Sequence, residues 1–391
     1  MRNRLPFILL AWVIADIYFF QAVTTLTANS WVHLAYWLVD VVLVVGFVLM
    51  FLGPLNRRPG WLVSGLMALT LLSFVPKLFG FPVLLIEDIT RLFRHFPPRS
   101  VWISELALLI AAIPFFSLLY GITGGRHRYK VHRVTLKFTD LPEAFNGFTI
   151  TQLSDIHAGS FTSKAGVEKG VALVNKQNSD LILFTGDLVN SKAVEMDPWK
   201  QTFAKLKAPF GKYSVLGNHD YGDYVQWDSE QSKTANLASL KGVHKEIGFR
   251  LLLDETVEIK KDNQEIALIG VENWGKGSFQ KYGSLTKATK DVDDSEFKIL
   301  MSHDPSHWEA KTLEHKKHIN LALAGHTHGM QFGIELFGFQ WSPVKYVYPQ
   351  WAGLYEKNGK YLYVNRGFGF IGFKGRVGIW PEITVITLQK G

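Results

Sequence analysis

The sequence predicts a layered α/β domain, with sheets flanked by helices, preceded by a four-helix transmembrane domain. Three observations carry that prediction. Long apolar runs fill the first 125 residues, short apolar runs alternate with charged helix-like segments after them, and groups rich in Asp, Asn and His follow the ends of the short runs. With 391 residues and a composition that divides near Gly125, two parts are expected.

The first part holds four runs, roughly 5–25, 34–52, 61–79 and 101–121, each near the ~20 residues that a helix needs to cross the hydrocarbon core. The start Met1-Arg2-Asn3-Arg4 has the charge of a secretory signal, but Asp16 interrupts the run and Thr27-Ala28-Asn29 is a poor cleavage site, so an uncleaved first span is expected. Arg2, Arg4, Arg57, Arg58, Arg126, Arg128, Lys130 and Arg133 flank the spans in a pattern that places both ends in the cytoplasm. The loop 80–100 breaks the pattern with Arg91, Arg94 and Arg99. There an interfacial amphipathic helix is expected, because Ile86, Ile89, Leu92, Phe93 and Phe96 fall near one face.

Asp16 and Asp40 lie inside predicted spans, where a charge is costly. One reading is an ion or proton relay. The other, commoner in membrane helices, is that each is protonated or hydrogen-bonded to a neighbouring helix, with Asp40 close enough to an end to reach water. Arg126 to Arg133 can hold an anionic headgroup or simply fix topology. The net charge of +8 says little about nucleic acid, since much of the excess flanks the spans and no basic patch is interleaved with aromatics. No nucleic-acid partner is expected. Cysteine is absent, which excludes disulfides, thiolate nucleophiles and Cys-ligated zinc.

In the second part, Phe148 to Leu153, Leu181 to Thr185, Tyr213 to Leu216, Lys298 to Met301 and Asn320 to Ala324 are brief and apolar enough to be strands buried on both faces. After Thr162, Val167, Val171 and Val174 recur at helical spacing. Asp197-Pro198 reads as cap and first turn before Trp199, Phe203 and Leu206, and residues 257–269 read as a hairpin turning at Asp262-Asn263. The expected boundaries are 1–125 for the membrane domain, 126–146 for a basic linker and leading strand, and 147–391 for the α/β domain.

Ligands of open α/β sheets collect beyond the carboxyl ends of the strands. Asp155 with His157, Gly186-Asp187, Gly217-Asn218-His219-Asp220, His303 and Gly325-His326-Thr327-His328 all fall there. Asp155 and His157 are two apart, so both side chains point one way if strand geometry persists. Each motif alone is commonplace: an Asp-x-His is usually a turn or surface pair, and a lone His is usually a satisfied polar residue. In this order at successive strand ends they form the mixed oxygen and imidazole set that suits two Mn, Fe or Zn ions.

The same residues, with FTITQLSDIH at Phe148 to His157, GHTHGMQ at Gly325 to Gln331, and Pro381-Glu382-Ile383-Thr384 near the end, resemble the calcineurin-like metallophosphoesterase superfamily. The flanking text looks like its membrane-associated bacterial phosphodiesterases related to UDP-2,3-diacylglucosamine pyrophosphatases. Met330 stands where that subgroup often has a second Gly. The resemblance implies that Asp155, His157, Asp187 and His328 hold one divalent ion, and that Asp187, Asn218, His303 and His326 hold the other. It implies that His219 stabilises the transition state or acts as general acid, with Asp220 orienting its ring. It further implies a hydrolase of the bacterial inner membrane, acting from the cytoplasmic side on a lipid or lipid-linked phosphoester. A soluble nucleotide substrate, with the spans as a mere anchor, and a non-catalytic membrane scaffold are the alternatives.

Three stretches stand outside that pattern. Gly367-Phe-Gly369-Phe-Ile-Gly372 is a literal G-x-G-x-x-G, but no helix-like segment follows it, so tight turns near the site are expected rather than a nucleotide loop. His315 and His318, in the charged run Glu309 to His318, are expected on the surface. Phe332 to Trp351 carries Phe337, Phe339, Trp341, Tyr346, Tyr348 and Trp351, and reads either as an acyl or headgroup entrance or as ordinary packing.

Overall fold

The computed structural model describes residues 5–52, 60–277, 280–294 and 296–391. The chain divides into two compact units, Met1–Thr123 with Gly372–Gly375, and Gly124–Ile371 with Arg376–Gly391.

The first unit is helical: α1 (Leu5–Leu26), α2 (Ser30–Leu52), α3 (Gly60–Leu92) and α4 (Val101–Thr123). Among the described residues, three helices are long and apolar enough to cross a membrane, with a shorter apolar stretch at Leu10–Leu26 in α1. Small residues let these helices approach: Ala22, Ala107 and Ala111 pack with Phe19 and Leu84. Arg2, Arg4, Arg57 and Arg58, on which the predicted orientation leans, lie outside the described residues.

Two expectations change here. No separate interfacial helix occupies 80–92, because α3 continues through Pro76 and Pro82 to Leu92. The basic residues of that region are neutralised locally: Arg91 pairs with Asp88 at 2.6 Å, and Arg99 with Glu87 at 2.6 Å and Asp88 at 2.8 Å. Asp40, expected near a helix end, sits midway along α2. It lies 3.7 Å from the ammonium of Lys77, which also forms an ion pair with Asp16. The Tyr36 hydroxyl donates to the Asp16 carbonyl at 2.9 Å.

The second unit is built on two six-stranded mixed sheets. The first runs β1 (Lys130–Phe138), β14 (Glu382–Lys390), β2 (Thr149–Leu153), β3 (Leu181–Phe184), β4 (Lys212–Ser214), β5 (Arg250–Leu251). The second runs β12 (Gly353–Lys357), β13 (Lys360–Val364), β9 (Leu321–Ala324), β8 (Lys298–Met301), β7 (Gln264–Gly270), β6 (Glu255–Lys261). A small hairpin, β10 (Ile334–Leu336) and β11 (Phe339–Trp341), stands apart. β3, β8 and β9 are buried throughout and β2 beyond its first residue, which is why they read as continuous apolar runs rather than alternating ones.

One apolar cluster fills the space between the sheets, joining Ile150, Leu181, Leu183 and Ile386 of the first to Leu268, Ile299, Leu321 and Leu323 of the second. Two more lie under the outer helical layers. α5 (Lys164–Asn175) puts Val167, Val171 and Val174 against Phe184 and Leu153, and α7 (Glu230–Glu246) adds Leu240 and Val243. On the other side, α8 (Leu285–Ala288) and Trp308 cover Ile269, Leu300 and Val364.

Ser163 caps α5, its hydroxyl accepting from Gly166 N–H, so the helix expected after Thr162 starts where an N-cap residue permits. Asp197-Pro198 caps no long helix. α6 (Lys200–Phe203) is a single turn whose N-cap is Trp199, and Asp197 ends the preceding 3-10 turn while pairing with Lys200 at 2.9 Å. The expected hairpin is β6–β7, with Asp262 and Asn263 both left-handed at its turn, as a two-residue hairpin loop requires.

Candidate dinuclear metal centre

Five strand ends meet at one place. The chain leaves β2 through Asp155 and His157, β3 through Asp187, β4 through Asn218 and His219, β8 through His303, and β9 through His326 and His328. Asp155, His157, Asp187, His326 and His328 all adopt positive φ, between 48° and 70°. The strands stop before these residues, so the two-residue spacing works through left-handed backbone rather than through the strand pleat assumed from sequence. That conformation is uncommon outside glycine, and five instances among the candidate ligands mark strain held by the surrounding fold. Gly217 is the close approach that permits the assembly, since a Cβ there would collide with the Asp187 carboxylate.

The donor atoms converge in two groups, Asp155 with His157 and His328, and Asp187 with His303 and His326. In the first, His157 Nε2 and His328 Nε2 are 2.9 Å apart and His328 Nε2 is 3.2 Å from Asp155 Oδ1. In the second, His303 Nδ1 donates to the Thr185 carbonyl at 2.8 Å, which turns Nε2 toward Asp187 Oδ2 at 3.2 Å and Asn218 Oδ1 at 3.1 Å. His326 presents Nδ1 to the same Asn218 oxygen at 2.8 Å. Asn218 is oriented by its amide, whose Nδ2 donates to the Tyr224 hydroxyl at 2.8 Å. Asp187 Oδ2 lies 3.5 Å from His157 Nε2 and so stands between the groups.

Electrostatics favour ligation at three of the four imidazoles. Burial lowers the pKa of His157, His326 and His328, leaving neutral rings with lone pairs to offer. Burial by itself would raise the carboxyls of Asp155 and Asp187, yet the imidazoles around them, chiefly His328 and His303 respectively, hold both well below the ordinary range. His303 goes the other way: burial lowers it, but Asp187 outweighs burial and lifts it to about 10. Buried lone pairs of oxygen and nitrogen facing one another at these distances fit a divalent cation in each group. His157 Nδ1 finds no hydrogen-bond partner among the described residues.

The two remaining motif residues separate. His219 Nδ1 donates to the Asn190 carbonyl at 2.8 Å and its ring lies tilted against Tyr224 with centroids 4.4 Å apart, so Nε2 is the nitrogen left for chemistry. Asp220 does not orient that ring. Its carboxylate accepts from the backbone N–H of Gly217 and Asp187 at 2.9 Å, Leu188 at 2.8 Å and Val189 at 3.2 Å, which ties the Gly-Asp turn to the Gly-Asn-His-Asp turn. In that position it braces the two turns against each other.

Sequence reasoning missed several groups here. Tyr348 Oη is 2.9 Å from His326 Nε2 and donates to Asp304 Oδ2 at 3.3 Å. Asp304 directly follows His303, the one signal that could have drawn attention to it. Arg376, fully buried, reaches His328 Nδ1 at 3.2 Å and the carbonyls of Arg366 and Gly369, and nothing in its glycine-rich surroundings announces it. Tyr224 likewise had no sequence signal beyond nearness to Asp220.

The three stretches set aside in the sequence also resolve. Gly367 to Gly369 opens no helix; Phe368 N–H and Gly369 N–H donate to the carbonyls of Ser154 and Asp155 at 2.7 and 2.9 Å, bracing the first ligand turn. Met330 is left-handed at φ 54°, which explains why glycine suits that position. His318 is exposed, whereas His315 is half-buried. The aromatic stretch splits: Tyr348 and Trp351 pack with Val344 and Ile379, while Phe337, Phe339 and Tyr346 are exposed.

Fold and site together define a metal-dependent phosphoester hydrolase. Residues 148–330 match the family described as Calcineurin-like phosphoesterase, and residues 1–126 match Probable Calcineurin-like phosphoesterase, transmembrane domain. The uncharacterized metallophosphoesterase YkuE of Bacillus subtilis is 30% identical over 273 residues, 68% of this chain and 87% of that protein. A metallophosphoesterase of Aquifex aeolicus is 29% identical over 70% of this chain and 98% of its own length. A transmembrane protein with metallophosphoesterase domain from Danio rerio is 28% identical over 73% of this chain, which spans 62% of that relative. The chain belongs to the calcineurin-like metallophosphoesterase family and carries that family's transmembrane domain.

Proposed function

We propose that this protein hydrolyses a phosphodiester or pyrophosphate bond in a lipid or lipid-linked sugar nucleotide of the UDP-2,3-diacylglucosamine type, from the cytoplasmic face of a bacterial inner membrane. The observation that carries the reading is the pair of converging donor groups with Asp187 between them, in a chain that also has a membrane domain. Asp155, His157, Asp187 and His328 would hold one divalent ion, and Asp187, Asn218, His303 and His326 the other. Bound ions of this kind supply Lewis acidity to phosphoryl oxygens and a nucleophilic water at neutral pH.

The protein's own residues supply the rest. His219, fixed through Nδ1, holds a proton on Nε2 or delivers it to the leaving oxygen. Asp220 keeps the two ligand turns in register, and Tyr224 aims the Asn218 oxygen. A groove of about 840 Å³ reaches Tyr348, itself in contact with His326, and is lined by polar groups including Lys276, Ser306, Gln350 and Lys357. It suits the polar part of a substrate, and it favours a second reading in which the substrate is a soluble nucleotide.

The test is manganese-dependent release of UMP from UDP-2,3-diacylglucosamine by detergent-purified protein, beside a chromogenic diester and an Asp187→Ala control. Lipid turnover well above the diester is expected. Diester cleavage alone would move the substrate to another class of phosphoester, and no hydrolysis in any arm would leave the scaffold reading standing.

A further inference from the structure

The hairpin β10–β11 is amphipathic in the wrong sense for a soluble surface. Its register pairs Ile334 with Trp341 and Leu336 with Phe339, so four apolar side chains share one face, and Glu335 pairs with Gln340 on the other. On the polar face Glu335 is held inward, accepting from the buried Arg366 at 2.7 Å, while Gln340 is exposed. The apolar face is in the open, with Ile334 50%, Leu336 58% and Phe339 60% exposed.

The tip sharpens the point. The two-residue turn is Phe337-Gly338, both at positive φ, in a turn type that ordinarily takes Asn-Gly or Asp-Gly. A bulky aromatic at φ 49° is disfavoured, and this one is 99% exposed. Strain and full exposure together have no compensation in the folded protein itself, so they point to something outside it.

The position of the hairpin within its unit indicates what. Arg366 also binds Glu382 at 2.7 Å, and Glu382 is the neighbour of Lys130 across the β14–β1 pair. Lys130 is the first residue of β1, and six residues separate it from the end of α4, a reach of at most about 25 Å. The hairpin is therefore three contacts away from the point where this unit is tethered to a membrane-spanning helix. The same end carries Arg126, Arg128 against Trp380, and the exposed Lys345 beside Tyr346, the basic and aromatic company of a headgroup layer.

We infer that the β10–β11 hairpin is a membrane wedge: Phe337, with Leu336 and Phe339, enters the bilayer at the boundary of headgroups and acyl chains, on a surface carrying anionic lipid. Its base adjoins the ligand turn, where Ser342 donates to the Gly329 carbonyl next to His328. Its purpose, drawing a lipid phosphoester toward the metal centre, rests on the lipid-substrate reading above; its insertion does not.

The chain has no cysteine, so Phe337→Cys gives a single labelling site in the full-length protein, and an exposed side chain there can be replaced without touching the core. The probe is an environment-sensitive fluorophore on protein reconstituted into phosphatidylcholine vesicles with or without phosphatidylglycerol. Leu336→Cys is a second label on the wedge, and Glu258→Cys, exposed on the edge strand β6, is the control. Expected are blue-shifted emission at 337 and 336, loss of most intensity to quencher-bearing acyl chains, little loss to aqueous iodide, and a larger effect with phosphatidylglycerol, with position 258 showing the reverse. Iodide quenching at 337 and 336 equal to that at 258 would overturn the wedge. Blue-shifted emission that lipid quenchers do not reach would also overturn it, by showing that a second protein surface covers the hairpin. Because nothing in this readout requires turnover, failure of the substrate assay and failure of the wedge are separable.

Discussion

Both units of this protein bury charge, and they do so with opposite bookkeeping. In the helical unit each buried charge among the described residues has a partner in the chain: Lys77 serves Asp16 and Asp40, and Arg99 serves Glu87 and Asp88. At the centre of the α/β unit, carboxylates and imidazoles face one another and the nearest guanidinium, Arg376, is spent on carbonyl oxygens and His328. The comparison teaches where to look for function: a buried charge already compensated by the fold holds structure, and a converging set of lone pairs left for a cation holds chemistry.

The largest expected effect breaks the second kind of site at its shared residue. Asp187→Ala should abolish hydrolysis and lower the bound metal of both groups, read by turnover together with elemental analysis of the purified protein. His219→Ala should separate chemistry from ligation: turnover should fall by about 10²–10⁴ while metal content holds, and loss of both ions would remove His219 from its assigned role.

The first kind of site has its own counterpart in the α/β unit. Arg366 sits between Glu335 and Glu382, and Arg366→Met leaves both carboxylates without their cationic partner, a loss of about 3–5 kcal/mol in denaturant unfolding. Although burial alone would raise the Glu382 carboxyl, Arg366 holds it down at about 2, below its ordinary 4.5. A depressed carboxyl stabilises the fold above its unfolded pKa, so this contribution should be lost as pH falls from about 4.5 to about 2. Melting curves of the parent and Glu382→Gln across that window check it: the parent should lose more stability than the variant.

The smallest effect sharpens the boundary between the two kinds. Tyr348 lies outside the ligand set and orients His326 through its hydroxyl. Tyr348→Phe should weaken metal binding about tenfold with a smaller change in turnover at saturating metal, measured by titration calorimetry. An unchanged affinity would make Tyr348 part of the wall and nothing more.

Much of this was legible in the sequence. Strands buried on both faces announce themselves as apolar runs, which is why β2, β3, β8 and β9 could be placed closely, and motif order alone assembled the candidate ligands. What was less legible depended on local competition or on distant partners. Asp197-Pro198 looked like a helix start, but Ala193–Met196 had already used that stretch for a 3-10 turn. Residues 80–92 looked amphipathic as an isolated segment, yet helix continuity through Pro76 and Pro82 absorbed them.

Sequence by itself determined which atoms are available: seven candidate ligand side chains, one adjacent histidine, four apolar segments and no thiol. Periodicity and residue chemistry are local properties, and local properties can be read from neighbours in the chain. Tertiary structure decided what each atom faces. It set five ligand-region residues in left-handed backbone, turned Asp220 from the histidine ring to four backbone amides, gave Lys77 to two aspartates, and put the apolar face of one hairpin outward. Those outcomes depend on groups tens to hundreds of residues apart being brought within 3–4 Å, a length over which electrostatics and hydrogen bonding act and along which the sequence carries no periodic mark.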